Sequence, residues 1–320
     1  MKVGRGQYKK PFLLWSVVVV VLVGIVSFSS AKLIQRLKGE KIIPWSLCCV
    51  GDSFYFIGEK QGEKAENEIY SFSYDKRKIK PVKLEVQSDV THWEKLEKCE
   101  DTLCAVGQTA AGIYQIVMID ELGQVEKTIT IPADFLTDSS GGIRAIQKDD
   151  DKNYYFRTYG DYATFSINEE GQGMQVIRED SEDFLFESMT VCDGEVYALF
   201  CKVKAIGEGY KLIKYHDGKA EEIYDGELLP YDDLYSVAGN SEEYDLLFKG
   251  NAGIYGYNLG NEKAEWLRTL PLEDYQFTRS CFSDKGILFC FAMKMEKEKN
   301  QIETVDFFAV SENMYYKSSY

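Results

Sequence analysis

Histidine and proline are scarce in this chain of 320 residues: there are two histidines, His92 and His216, and six prolines. Two imidazoles leave little material for histidine acid/base chemistry or a His-rich metal site. Little proline together with a 45% hydrophobic composition excludes a large disordered tail. Positive charge is also short, with 37 Lys and Arg against 52 Asp and Glu and a formal net charge of −15, which excludes a nucleic-acid binder working through a basic field. No G-x-S-x-G, H-E-x-x-H, P-loop or G-x-G-x-x-G fingerprint is present. Asp149-Asp150-Asp151 lacks the glycine and terminal glutamate of a Ca²⁺ loop and reads as a solvated hairpin tip. No metal site, cofactor or catalytic residue is therefore expected.

What basic charge there is gathers at the start. Residues 1–41 hold 8 of the 37 basic residues and 1 of the 52 acidic ones, which leaves −22 on the remainder. Lys2, Arg5, Lys9 and Lys10 precede an uncharged apolar run from Pro11 to Phe28. Eighteen residues at ~1.5 Å each reach roughly 27 Å, close to the ~30 Å hydrocarbon core. Its leucine, isoleucine, valine and phenylalanine side chains favour insertion by roughly 4–8 kcal/mol. Residues 1–10 thus read as a basic leader, 11–31 as a transmembrane helix serving as a signal anchor in the lipid bilayer, 32–41 as a linker and 42–320 as a large acidic ectodomain. Ser29-Ser30-Ala31 offers a signal-peptidase site, and cleavage after Ala31 with secretion stays the alternative. The apolar run exceeds the usual signal core, and Leu33, Ile34 and Leu37 extend a helical pattern past it. Four basic residues lie on each side of the run, so charge alone does not orient it. The ectodomain is placed outside the cytoplasm by analogy with other amino-terminal anchors.

The ectodomain repeats. An apolar strand with aromatics enters a polar turn at IYSFSYDKRK, IYQIVMIDELGQ, YATFSINEEGQ, YKLIKYHDGK, IYGYNLGNEK and VDFFAVSEN. The starts at Tyr70, Tyr114, Tyr162, Tyr210, Tyr255 and Val305 are 44, 48, 48, 45 and 50 residues apart. Upstream in each copy a strand meets a tight turn, at Asp52, Asp101, Asp150, Asp193, Ser241 and Asp284, with Asp193-Gly194 the clearest hairpin signal. Two hairpins every 46.5 residues predict an all-β fold, a six-bladed β-propeller of four-stranded antiparallel blades. A β-sandwich or β-helix with irregular spacing is the competing fold.

The strand-turn pattern I-Y-x-[FIY]-x-x-D/N-x-x-G/K resembles the repeats of bacterial extracytoplasmic β-propellers related to YWTD-type and TolB-like six-bladed domains. It covers nearly the whole ectodomain and rests on strand and turn chemistry. The W-D and G-H marks of WD repeats and the sialidase box are absent. The resemblance implies a fold and the habit of binding ligands or partners on one face.

The connectors between copies place an acid before aromatic or aliphatic residues: Asp89 before His92-Trp93, Asp134-Phe135, Asp183-Phe184, Asp233-Leu234 and Asp274-Tyr275. In a propeller these connectors share one face. Asp89, Asp134, Asp183, Asp233 and Asp274 are therefore the candidate surface for a cationic ligand or an unidentified protein partner. The competing reading is that they open turns while the following aromatics pack between blades.

Of eight cysteines, Cys49, Cys99, Cys192 and Cys281 recur just before the first hairpin turn, Cys104, Cys201 and Cys290 lie on the following strand, and Cys48 adjoins Cys49. Equivalent positions on different blades, expected to point inward around the ring, are too far apart to bridge. They read as small buried hydrophobes, and Cys99–Cys104 is the one pair suited to a disulfide. The composite expectation is a membrane-anchored interaction or sensing module. The alternative is a cell-surface carbohydrate-active hydrolase using paired carboxylates.

Overall fold

The Ile-Tyr segment of each repeat becomes the third strand of a four-stranded sheet, and the turn-bearing segment upstream becomes its first two strands. The computed structural model describes residues 42–60, 67–73, 81–133, 136, 142–160, 163–178, 184–202, 209–226, 234–239, 243–250, 252–260, 263–275, 277–296, 301–311 and 315–319. The chain divides into two compact units, Met1–Ile42 with Lys60–Gly62, and Ile43–Glu59 with Glu63–Tyr320. The strands lie in the second unit apart from the end residues Ile42 and Lys60. The expected span at 11–31 falls outside the described residues. Among the described residues no helix is long and apolar enough to cross a membrane.

Blade 1 is β1 (Ile42–Val50), β2 (Ser53–Lys60), β3 (Glu68–Ser73) and β4 (Val82–Lys83). Blade 2 is β5 (Val90–Cys99), β6 (Thr102–Thr109), β7 (Tyr114–Ile119) and β8 (Val125–Thr130). Blade 3 is β9 (Ile143–Lys148), β10 (Asn153–Thr158), β11 (Ala163–Asn168) and β12 (Gln175–Arg178). Blade 4 is β13 (Phe184–Cys192), β14 (Glu195–Lys202), β15 (Tyr210–His216) and β16 (Lys219–Gly226). Blade 5 is β17 (Leu234–Gly239), β18 (Leu246–Gly250), β19 (Gly253–Asn258) and β20 (Lys263–Thr269). Blade 6 is β21 (Phe277–Phe282), β22 (Leu288–Glu296), β23 (Gln301–Val310) and β24 (Tyr315–Ser319). In each sheet the strands are hydrogen-bonded in sequence order, which makes an antiparallel meander. The fold is an all-β six-bladed propeller.

Burial follows from blades covering both faces of their neighbours. The second strands are buried without alternation, as in β18, whose five residues are all buried. The outer strand β8, with the sequence VEKTIT, buries only Ile129. Five junctions carry contiguous apolar clusters: Cys48, Tyr55 and Leu96 between blades 1 and 2, and Cys104, Ile116 and Tyr154 between blades 2 and 3. Tyr155, Phe186 and Phe200 fill the third junction, Leu199, Phe248 and Tyr255 the fourth, and Ile254, Leu288 and Cys290 the fifth. The sixth closes the ring with phenylalanines: Phe54 meets Phe289 at 3.9 Å between centroids, Phe56 meets Phe291 at 5.4 Å and Phe72 meets Phe307 at 5.4 Å. Each blade is made of consecutive strands, so closure depends on side-chain packing and not on a shared strand. β24 is the outer strand of blade 6, paired with β23 from Tyr315 opposite Val310 to Ser319 opposite Asp306.

Turn chemistry matches the sequence. Asp193 and Gly194 both hold positive φ, 49° and 77°, the conformation of a two-residue hairpin turn that suits right-handed strand twist. A Cβ at Gly194 would meet Asp150 Oδ2 at 2.2 Å, so the same glycine also admits the neighbouring blade's turn. Ser241 lies outside the described residues.

Cys99 and Cys104, the one pair suited to a disulfide, are not bridged, and all eight cysteines are free. Register gives the reason: Cys99 faces Thr102 and Cys104 faces Glu97. The two residues therefore sit on a diagonal of about 7–8 Å, beyond the ~4.4–6.8 Å Cα separation a bridge needs. The neighbouring Cys99 thiol, together with burial, raises Cys104 well above the ordinary thiol range. Of the four recurrent cysteines expected to point inward, Cys49 and Cys281 line the central cavity, whereas Cys99 and Cys192 pack between blades. Cys48, Cys104, Cys192 and Cys290 occupy different junctions between blades, where they act as small apolar groups.

Candidate functional site

First strands run toward the hairpin turns, second strands return, and third and fourth strands repeat the path. The turns at 51–52, 100–101, 149–152, 193–194 and 283–286 thus share one end of the propeller, and the connectors share the opposite end. Between them the six innermost strands enclose a cavity of about 630 Å³. Every blade contributes to its wall: Cys48 from blade 1, Lys95 and Glu97 from blade 2, Gln147 from blade 3, Thr190 from blade 4, Gly239 from blade 5 and Ser280 from blade 6. Gly239 is required there. Its N–H donates to Thr190 Oγ1 at 3.0 Å, and a Cβ would lie 1.8 Å from the Val191 carbonyl oxygen.

Deep in the cavity Lys95 Nζ pairs with Glu97 Oε1 at 2.8 Å, both side chains about one-quarter exposed. They lie two residues apart on β5 and so project to the same side. Gln147 Nε2 approaches Glu97 Oε2 at 3.5 Å and the Met189 carbonyl at 3.4 Å. Burial works to lower the Lys95 pKa, and the charge and hydrogen bond of Glu97 overturn it, so the ammonium is held above its ordinary range. Burial raises the Glu97 carboxyl, and Lys95 offsets only part of that.

The mouth at the turn end is acidic. Glu100, Asp101, Asp150, Asp193 and Asp284 line it, against Lys98 and Lys148. Both lysines are engaged: Lys148 holds Glu100 at 2.7 Å, and Lys98 of blade 2 reaches past blade 1 to Asp284 of blade 6 at 2.6 Å. Cys49 lies beneath this rim with its thiol pushed up to about 12, by burial first and then by the charge of Asp284. Burial likewise raises Cys48 and Cys281 in the wall, so none of the three is poised as a nucleophile.

Of the connector acids expected from sequence, Asp89 and Asp274 are described, and Asp134, Asp183 and Asp233 lie outside the described residues. Asp89 is exposed before β5, and Asp274 is exposed before β21 with Lys294 Nζ 3.8 Å away. Both belong to the end opposite the acidic mouth. Tyr275, expected to pack behind Asp274, donates its hydroxyl to Asp306, rests edge-on against Phe308 at 5.5 Å and takes Lys317 Nζ over its ring at 5.6 Å.

Sequence reading picks out Asp101, Asp150, Asp193 and Asp284 as turn formers, without the convergence of their turns on one opening. It passes over Lys95 and Glu97 altogether. A signal is present: WEKLEKC carries four charges within an innermost strand, where β13 carries one.

No family model and no curated protein matches the chain. Among solved structures, catalytically inactive virginiamycin B lyase from Staphylococcus aureus with quinupristin is 14% identical, with a TM-score of 0.50 over 79% of this chain and 93% of its own. Oligogalacturonate lyase in complex with manganese is 11% identical, with a TM-score of 0.49 over 81% of this chain and 74% of its own. The nidogen/laminin complex gives 12% identity and a TM-score of 0.45 over 70% and 78%. At these identities the likeness shows the β-propeller fold alone.

Proposed function

We propose that this chain is a membrane-anchored, extracytoplasmic binding module whose ligand presents a cationic group to the acidic mouth of the propeller channel. The observation that carries this is the cavity of about 630 Å³ whose rim holds five carboxylates against two lysines, both already paired. A volume of that order suits a small molecule or one or two side chains of a partner. The alternative, hydrolysis of a glycoside, requires two carboxyl groups flanking the bond at roughly 5–9.5 Å. Below the rim the described wall offers Glu97, which is committed to Lys95, and this favours binding over hydrolysis.

The test is titration of the ectodomain with a short lysine-rich peptide at low and physiological salt. Exchanging Asp150, Asp193 and Asp284 together for Asn should weaken binding at least tenfold at low salt and shrink its salt dependence, because attraction at the mouth is screened over about 8 Å at physiological ionic strength. Asp89→Asn with Asp274→Asn at the other end is the matched control. If the control abolishes binding and the mouth variant does not, the connector acids form the binding face. The anchor has its own check. Full-length protein should stay in the membrane pellet after carbonate washing with its first residues intact, and a soluble form beginning at Lys32 would overturn it.

A further inference from the structure

The turn after the first strand of blade 3 and the turn after the third strand of blade 4 meet at the turn end of the propeller. There Asp151, His216 and Asp217 bring one ligand atom each to within 4.8 Å of one another. His216 Nδ1 lies 3.0 Å from Glu195 Oε2, and Nε2 lies 3.3 Å from Asp217 Oδ2. In the tautomer whose Nδ1–H donates to Glu195, the Nε2 lone pair is available to a ligand beside the Asp151 and Asp217 carboxylates. Among the described residues neither Asp151 nor Asp217 forms an ion pair with a lysine or arginine. A nearby cation, Lys214, has its Nζ 3.3 Å from Glu195 Oε1 and so engages the carboxylate behind the imidazole, not the two aspartates.

The two turns are also held in register by their blades. The Tyr155 and Tyr215 rings stack at 5.7 Å, the Tyr155 hydroxyl lies 3.5 Å from the Gly218 nitrogen, and the Asp150 N–H donates to the Gly194 carbonyl at 3.0 Å. A carboxylate orienting one imidazole nitrogen so that the other can ligate is the usual outer-shell arrangement of a metal-bound histidine.

We propose that Asp151, His216 and Asp217 bind a divalent transition-metal cation, with Glu195 positioning the imidazole. One nitrogen and two carboxylate oxygens suit Zn²⁺, Mn²⁺ or Co²⁺ better than an all-oxygen ion such as Ca²⁺. With the groups exposed, water completes the coordination and exchange is fast. Bridging two turns, the ion would hold blade 3 to blade 4 at the turn end, and the site stands whether or not the channel binds a cationic partner.

Isothermal titration of the ectodomain with ZnCl₂ and MnCl₂, after chelator treatment, should show one saturable site. Mn²⁺ should broaden the His216 ring protons in the NMR spectrum well before those of His92. Asp151→Asn, on the neighbouring blade, should weaken binding at least tenfold, as should His216→Gln. Asp217→Asn should do likewise without unfolding, since asparagine tolerates the positive φ of 48° found there. Glu195→Gln should weaken binding less than the loss of any ligand. Absence of saturable binding, equal broadening at both histidines, or unchanged affinity in a folded Asp151→Asn variant would overturn the assignment.

Discussion

Arg157 of blade 3 reaches across a junction to stack on Phe186 of blade 4, its guanidinium carbon 5.2 Å from the ring centroid. The same guanidinium lies 5.0 Å from the Phe200 centroid, and Arg144 covers Phe186 at 5.2 Å. Arg157 is 3% exposed and hydrogen-bonds Thr164 Oγ1 at 3.3 Å, which in turn bonds the Tyr215 hydroxyl at 2.9 Å. Ring faces and a hydroxyl relay thus help to accommodate a charge in an apolar junction.

Replacing Arg157 by Ala should destabilise the propeller by about 2–4 kcal/mol, through lost cation–π contact and an unfilled volume. Arg157→Met, which keeps the volume and removes the buried charge, should cost clearly less. Thermal unfolding of the two variants checks the order, and equal losses would show that the guanidinium's own contacts, and not the filled volume, carry its contribution.

Ring closure between the first and last blades rests on phenylalanines. Phe54→Ala should cost about 3–5 kcal/mol by opening a cavity against Phe289 and Phe72. Deleting residues 315–320 removes β24, bares the edge of β23 and should promote aggregation as well as lower the melting temperature. A deletion variant that melts at the parental temperature would show that β24 is dispensable for closure.

The channel pair makes a pH prediction whose sign can be reversed. Lys95 has a raised folded pKa, so its stabilising contribution is full below the unfolded value of about 10.4 and is lost as pH climbs through the folded one. Glu97→Gln removes the main influence that lifts it and leaves burial dominant over the smaller contributions of Tyr159 and Cys48, so the folded pKa should drop below the unfolded value. Between the two the unfolded chain then binds more protons. Stability of the variant should therefore rise with pH over the alkaline range where that of the parent falls. Urea unfolding at several alkaline pH values measures both slopes, and parallel slopes would refute the coupling.

Burial holds the thiols out of reach. Cys49 is pushed up to about 12 and Cys290 to about 11, burial being the main cause for both, while Cys48 and Cys281 are raised well above the ordinary thiol range. In the folded protein at pH 8, iodoacetamide should modify these four slowly, and in denaturant all eight thiols should react. Rapid alkylation of Cys49 in the native state would contradict the burial argument.

Local chemistry made much of this fold legible. Apolar strands with aromatics, polar turns and a spacing of 44–50 residues specify hairpins in tandem, because strand and turn preferences act over a few residues and repeat with the chain. Asp193-Gly194 declared its turn for the same reason. The site was not legible, because a channel is made by residues far apart in sequence. Lys98 and Asp284 are 186 residues apart and touch only when the last blade returns to the first. Asp151 and His216 meet only because neighbouring blades set their turns side by side. The cysteines teach the same point in reverse. Their recurring position was plain in the sequence, but which junction each fills, and that Cys99 and Cys104 are out of register, depended on strand pairing. Sequence by itself determined the repeat and its strands; tertiary closure decided which charges share an opening, since electrostatics acts through space and not along the chain.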